Sequence, residues 1–165
     1  MSLPQKKFRE IVVQMLYSHD LSAASSEEMI PFMMQEQSVT KANMRAAQSR
    51  MEQVLGRKEE LDTLIAKWSV GYAIERIHRV ERNILRLAFF ELFDDPAIPP
   101  KVAITEAMRL ARKFSSPEGA HFVNAILDAA YQDHLAMNAE EEEDKEKIFF
   151  EGEEERKGGG PHKLP

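Results

Sequence analysis

The stretch HRVERNILRLAFFELF, residues 78–93, carries the strongest periodic signal in the chain. Ile84, Leu85, Ala88, Phe89 and Leu92 recur at helical spacing and define one wide apolar face, with Arg82 and Arg86 turned away from it. Asp94, Asp95, Pro96 and the pair Pro99–Pro100 end the helix and impose an extended connector, because a residue before proline is driven out of helical geometry. A helix with such a face needs partners to bury it, and the flanking segments supply them.

On the carboxyl side a helix is predicted from about Lys101, with Val102, Ile104, Ala107, Met108, Ala111 and Phe114 apolar. Ser115, Ser116 and Pro117 form a cap-like break, and a last helix carries Val123, Ile126, Leu127 and Ala130. On the amino side, residues 58–75 read as helical through Leu61, Leu64, Ile65 and Trp68, with an interruption near Gly71. Ser38 or Thr40 caps a further helix that runs towards Gly56 and buries a narrow stripe (Met44, Ala47, Met51, Val54, Leu55). Ser25 and Glu28 have capping-box spacing and open a short helix through Met34. The first helix begins after Pro4, and Phe8, Ile11, Val12, Met15, Leu16 and His19 form its core stripe. About seven helices, short connections and no alternating strand pattern predict an all-α bundle.

The net charge of −6 is unevenly spread. Residues 1–138 hold 17 basic and 18 acidic side chains, whereas residues 139–165 hold 5 and 10. The division predicted is a near-neutral helical domain over residues 1–138 and an acidic, disordered tail over 139–165 with a helical beginning. A near-neutral domain can bind nucleic acid through a local basic edge only. The chain has no cysteine, which excludes disulfides, thiolate metal sites and a cysteine nucleophile. No apolar run approaches the roughly 20 residues needed to span a bilayer, and the opening MSLPQKKFRE lacks a signal-peptide core. A cytoplasmic location with no membrane partner is expected.

Catalytic chemistry finds no support. There is no phosphate-binding loop or dinucleotide fingerprint, and the histidines (19, 78, 121, 134 and 162) lack metal-ligand spacing. His19 falls on the core stripe and reads as structural. Glu140–Glu143 lie in a segment without the preorganised geometry that a cation site or an acid–base pair requires. No enzyme, metal or cofactor is expected.

Three stretches carry a family resemblance: REIVVQMLYS at 9–18, VERNILRLAFFEL at 80–92, and KVAITEAMRLARKF followed by FVNAILD across 101–128. Their order and spacing resemble the NusB family of transcription antitermination factors from near Arg9 to about Asp128. The resemblance implies two small helical bundles that pair with a NusE-like small-subunit ribosomal protein. Together the two proteins hold the boxA element of nascent RNA from ribosomal RNA operons and join the RNA polymerase antitermination complex. The family also includes a domain attached to RNA cytosine methyltransferases; the length here favours the free-standing adaptor.

Individual residues admit two readings each. On a helical wheel Lys6, Arg9, Val13 and Tyr17 lie opposite the core stripe of the first helix. A surface tyrosine among cations can stack a base or anchor a partner, and it can equally be an exposed ring among solubilising charges. The resemblance assigns Lys6, Lys7 and Arg9 to a basic RNA-binding segment and Tyr17 to the partner-facing surface. Phe122, at the margin of the last helix's core face, reads locally as a peripheral core aromatic and by resemblance as an RNA contact. His121 beside it adds a hydrogen-bonding group where family members often carry lysine. Glu81 suits a first-turn position facing the helix dipole, and the resemblance adds contact with the NusE-like partner. The amino terminus is poorer in arginine than the family pattern, which implies weaker and less salt-dependent RNA binding. The acidic tail reads first as a solubility device and second as a competitor of RNA for the basic edge. The alternative function is a helical protein–protein scaffold, or a homodimer, whose RNA binding has faded.

Overall fold

The computed structural model describes residues 3–22, 34–35 and 38–158. Six α-helices with defined bounds follow one another among the described residues: α1 (Gln5–Ser22), α2 (Lys41–Gly56), α3 (Lys58–Trp68), α4 (Arg79–Phe93), α5 (Pro100–Phe114) and α6 (Pro117–Gly158), with a 3-10 turn at Ile74–Arg76. No strand occurs among the described residues. The helix expected over Ser25–Met34 lies outside them, apart from Met34 itself. The chain divides into two compact units, Met1–Ala129 and Ala130–Pro165.

Local signals account for several helix boundaries. Thr40, not Ser38, caps α2, its Oγ1 accepting from the Asn43 N–H at 3.2 Å. Pro100 opens α5, where its missing N–H costs nothing. Ser116 Oγ accepts from the Gly119 N–H at 3.0 Å and caps the start of α6. Gly71 supplies the interruption after α3, with φ +85°, a left-handed conformation that side-chain-bearing residues adopt at a penalty.

In the first unit α4 is the central element and packs against α1, α3, α5 and α2, while α1 also runs along α2. Ile84, Leu85 and Phe89 of α4 are fully buried together with Ile11, Met15 and Leu16 of α1, Met44 and Met51 of α2, and Leu61 and Ile65 of α3. Helix α5 presents small residues at Ala103, Ala107 and Ala111 with Leu110, so it lies close to its neighbour, while apolar Val102 is 41% exposed.

Packing on several sides overturns two expectations about charged residues. Helical periodicity turns Arg86 away from the apolar face of α4, yet it is buried, donating to Asp62 through Nε (2.7 Å) and Nη2 (2.9 Å). Arg9 and Val13 were placed opposite the core stripe of α1, and both are buried. Arg9 Nε donates to both carboxylate oxygens of Glu91 at 3.0 and 3.1 Å. A helix enclosed on more than one face must neutralise any charge it carries there, and these arginines are paired accordingly. Among the described residues every buried side-chain nitrogen and oxygen has a hydrogen-bond partner.

Helix α6 continues through the acidic stretch to Gly158, further than the helical beginning expected from sequence. Glutamate, alanine and lysine are strong helix formers, and Glu141–Lys145 and Glu143–Lys147 have the favourable i,i+4 order. Residues 135–151 are all exposed, Ile148, Phe149 and Phe150 among them.

Candidate nucleic-acid interface

The turn after α3, the start of α4 and the start of α6 enclose a cavity of about 260 Å³. Tyr72 is delivered by the turn that Gly71 allows, and Phe122 by the second turn of α6. Their rings meet edge-to-face, with centroids 5.7 Å apart and planes at 76°. Tyr72 is 56% exposed and Phe122 half-buried, so the pair presents aromatic surface to solvent while anchored from behind. Arg76 and His78 line the same cavity and are exposed. Aromatic faces next to a permanent cation can stack a base and hold its phosphate.

Glu81 forms the inner wall. It is only 5% exposed and accepts a hydrogen bond from Ser115 Oγ at 3.0 Å. Its first-turn position in α4 agrees with the sequence, and its burial against the α5–α6 turn is what the structure adds. Gly119 lies directly over it, and a Cβ there would overlap Glu81 Oε1 and Ser115 Oγ.

The other sequence candidates are distributed over separate surfaces. His121 is exposed and lines a different cavity with Met108, Arg112 and Pro117, so it does not face the ring of its neighbour Phe122. Lys6 is exposed and Lys7 half-buried at the start of α1. Tyr17 is half-buried in a predominantly apolar groove with Val13, Val80 and Phe114. Sequence reasoning missed Tyr72, Arg76 and His78 as functional candidates; the break at Gly71 was the available signal, and nothing local linked it to Phe122.

Two buried or half-buried ionic clusters brace the frame. Asp20 Oδ2, near the end of α1, accepts from Arg82 Nη2 (2.7 Å), Arg82 Nε (3.1 Å) and Asn83 Nδ2 (3.0 Å), with Arg86 Nη1 at 3.4 Å. Burial alone would raise the Asp20 pKa, but those hydrogen bonds and the charges of Arg82 and Arg86 outweigh it and hold the carboxyl below its ordinary value. Glu10 accepts from Arg109 Nη1 (2.7 Å) and Lys113 Nζ (3.0 Å), which likewise overcome burial and lower its pKa. The first cluster ties α1 to α4, which carries Glu81, and the second ties α1 to α5.

Among the described residues no group of three or more histidine and carboxylate side chains could hold a metal ion. No helix there is long and apolar enough to cross a membrane. The fold and the cavity describe a small helical protein in which two aromatic rings meet Arg76, His78 and the carboxylates of Glu81 and exposed Glu118.

Comparison with known proteins is consistent with that class. The NusB family model matches residues 6–132, and the chain belongs to the NusB family, which acts by binding rather than by catalysis. It is 35% identical over 130 residues to the transcription antitermination protein NusB of Chlamydia pneumoniae, covering 79% of this chain and 81% of that protein. The NusB of Geobacter sulfurreducens is 36% identical over 121 residues, covering 73% and 88%. Among solved structures, T. maritima NusB superposes with a TM-score of 0.69 at 27% identity, over 80% of this chain and 93% of that one. A crystal structure of the antitermination factors NusB and NusE in complex with dsRNA gives a TM-score of 0.68 at 27% identity, over 78% and 96%.

Proposed function

We propose that this chain is a cytoplasmic antitermination factor that binds boxA-type RNA of ribosomal RNA operons together with a NusE-like ribosomal protein. In that role it recruits the pair to the RNA polymerase antitermination complex. The observation that carries the reading is the Tyr72–Phe122 pair set beside exposed Arg76 and His78 on one cavity. Sequence-specific RNA binders read unstacked bases on aromatic faces and track the backbone with cations, and this cavity offers both. The occurrence of a NusB–NusE complex with dsRNA among the structural relatives supports the same pairing of partners.

Within the proposal, Phe122 contacts a base, while Lys6, Lys7 and His121 supply phosphate contacts on the flanking surfaces. Arg9 supports the edge from inside, since its guanidinium is buried against Glu91. Tyr17, in the apolar groove with Val13, Val80 and Phe114, meets the NusE-like partner. Glu81 lines the same cavity at 5% exposure, and there it meets the partner beside the RNA.

The test is a titration of a boxA-like RNA against a scrambled control, with and without the NusE-like protein, at several salt concentrations. Phe122→Asp and Arg76→Ala should each weaken RNA binding by about tenfold or more, in line with the roughly 1–3 kcal/mol that a stacked base is worth. Arg76→Ala should also lower the salt slope by about one unit. Tyr17→Asp should abolish partner binding and leave RNA binding alone. If the first two variants bind RNA normally while the third loses the partner, the chain is a protein–protein scaffold instead.

A further inference from the structure

Gly119 is the one described glycine at which a side chain would collide with its surroundings. The atoms in the way are Glu81 Oε1 and Ser115 Oγ, the movable ends of two side chains bonded to each other at 3.0 Å. A methyl group there therefore does not have to displace a helix. It evicts the carboxylate, and the open space beside that carboxylate is the cavity that Tyr72, Arg76 and Phe122 also line.

In its present seat Glu81 is compensated twice. Ser115 Oγ donates to it, and it lies against the first turn of α6, where the positive end of the helix dipole favours an anion. Both interactions belong to the α5–α6 turn and depend on Gly119 having no Cβ. A second carboxylate released into the cavity would join exposed Glu118 on its lining, stand near Arg76 and His78 and compete there with a phosphate for the same cations.

We propose that Gly119 and Ser115 are positioning residues of the RNA surface: they hold the Glu81 carboxylate in the wall of the cavity and keep the cavity open to an anionic strand. Glycine at 119 thus acts on ligand charge through Glu81, not on the course of the backbone, since Gly119 has ordinary helical geometry and Gly71 is the one described glycine at positive φ. The inference rests on the reading of the Tyr72–Phe122 cavity as an RNA site.

The experiment uses the full chain and a short boxA-like single-stranded RNA at low salt, without a protein partner, read by fluorescence anisotropy. The variants are Gly119→Ala, Ser115→Ala and Gly119→Ala combined with Glu81→Gln, alongside Arg76→Ala and Phe122→Ala. Gly119→Ala should weaken RNA binding about tenfold, and adding Glu81→Gln should restore it to within about twofold of the parent, because the displaced group is then neutral. Ser115→Ala should weaken binding less, in the same direction. If Gly119→Ala binds like the parent, or its loss is not relieved by Glu81→Gln, the positioning role is wrong while the RNA site stands. If Arg76→Ala and Phe122→Ala bind RNA normally, the RNA site itself is wrong and the positioning role falls with it. A purely structural role for Gly119 predicts the loss without the rescue.

Discussion

Replacing Arg9 by alanine separates a structural cation from an RNA-binding one. Its side chain is 7% exposed and that of Glu91 4%, with Nε bonded to both carboxylate oxygens at 3.0 and 3.1 Å and Glu106 at 3.9 Å. Removing one partner of such a pair costs about 3–5 kcal/mol, because the other charge is left buried without compensation. Domains of this kind are stable by about 5–15 kcal/mol, so the loss is a large share of the whole. At about 2–4 °C per kcal/mol for a chain of this size, the melting temperature should fall by about 6–20 °C. The loss should also depend on pH. Burial pushes the Glu91 pKa up, against the opposing pull of Arg9, and without Arg9 it must rise further. A carboxylate whose folded pKa exceeds its unfolded value weakens the fold only where it is ionised. The deficit of the variant should therefore be greatest at neutral pH and shrink as the pH falls through that raised value. Thermal unfolding followed by circular dichroism at neutral and mildly acidic pH measures both effects. Replacing both partners together, Arg9→Met with Glu91→Leu, should recover most of the stability. A melting temperature within about 2 °C of the parent, accompanied by lost RNA affinity, would refute the reasoning and restore Arg9 to the RNA surface.

Two further outcomes follow from the same geometry. Asp20, Glu10 and Asp95 have pKa values held below 3.8, 4.5 and 3.8 respectively. Their contribution is complete above those unfolded values and is lost as the pH falls through the lower folded ones, so acid unfolding should steepen below about pH 4. Asp20→Asn should flatten that limb in a pH series of urea melts. Truncation after Asn138 removes the distal part of α6, where residues 139–151 are all exposed, so the melting temperature should change by less than about 2 °C. RNA affinity of the truncated chain at low salt should match the parent; a rise would show that the acidic segment competes with RNA.

The elements were legible from sequence because their causes are local. Periodicity marked α4 and α1, Thr40 and the Ser116–Pro117 break announced helix starts, and Gly71 marked the interruption after α3. The family strings lie in the same helices, so fold and kinship were readable together. Phe122 was visible as an aromatic at the edge of a stripe. The acidic segment was legible as unpacked, although its helical length was not, since exposed helix rests on propensity and side-chain pairs whose sum a composition argument does not resolve.

What tertiary structure alone decided is which faces are enclosed and which distant residues meet. A 3.6-residue period reveals one apolar face; it says nothing of a second neighbour, so Arg9, Val13 and Arg86 read as outward when they are buried. The cavity joins Tyr72 to Phe122 and brings Glu81 under Gly119 across separations of 50 and 38 residues. Such meetings depend on how α4, the α5–α6 turn and the start of α6 pack. The sequence by itself determined the helices and their kinship. Packing determined which charges are neutralised inside, and which remain outside to bind.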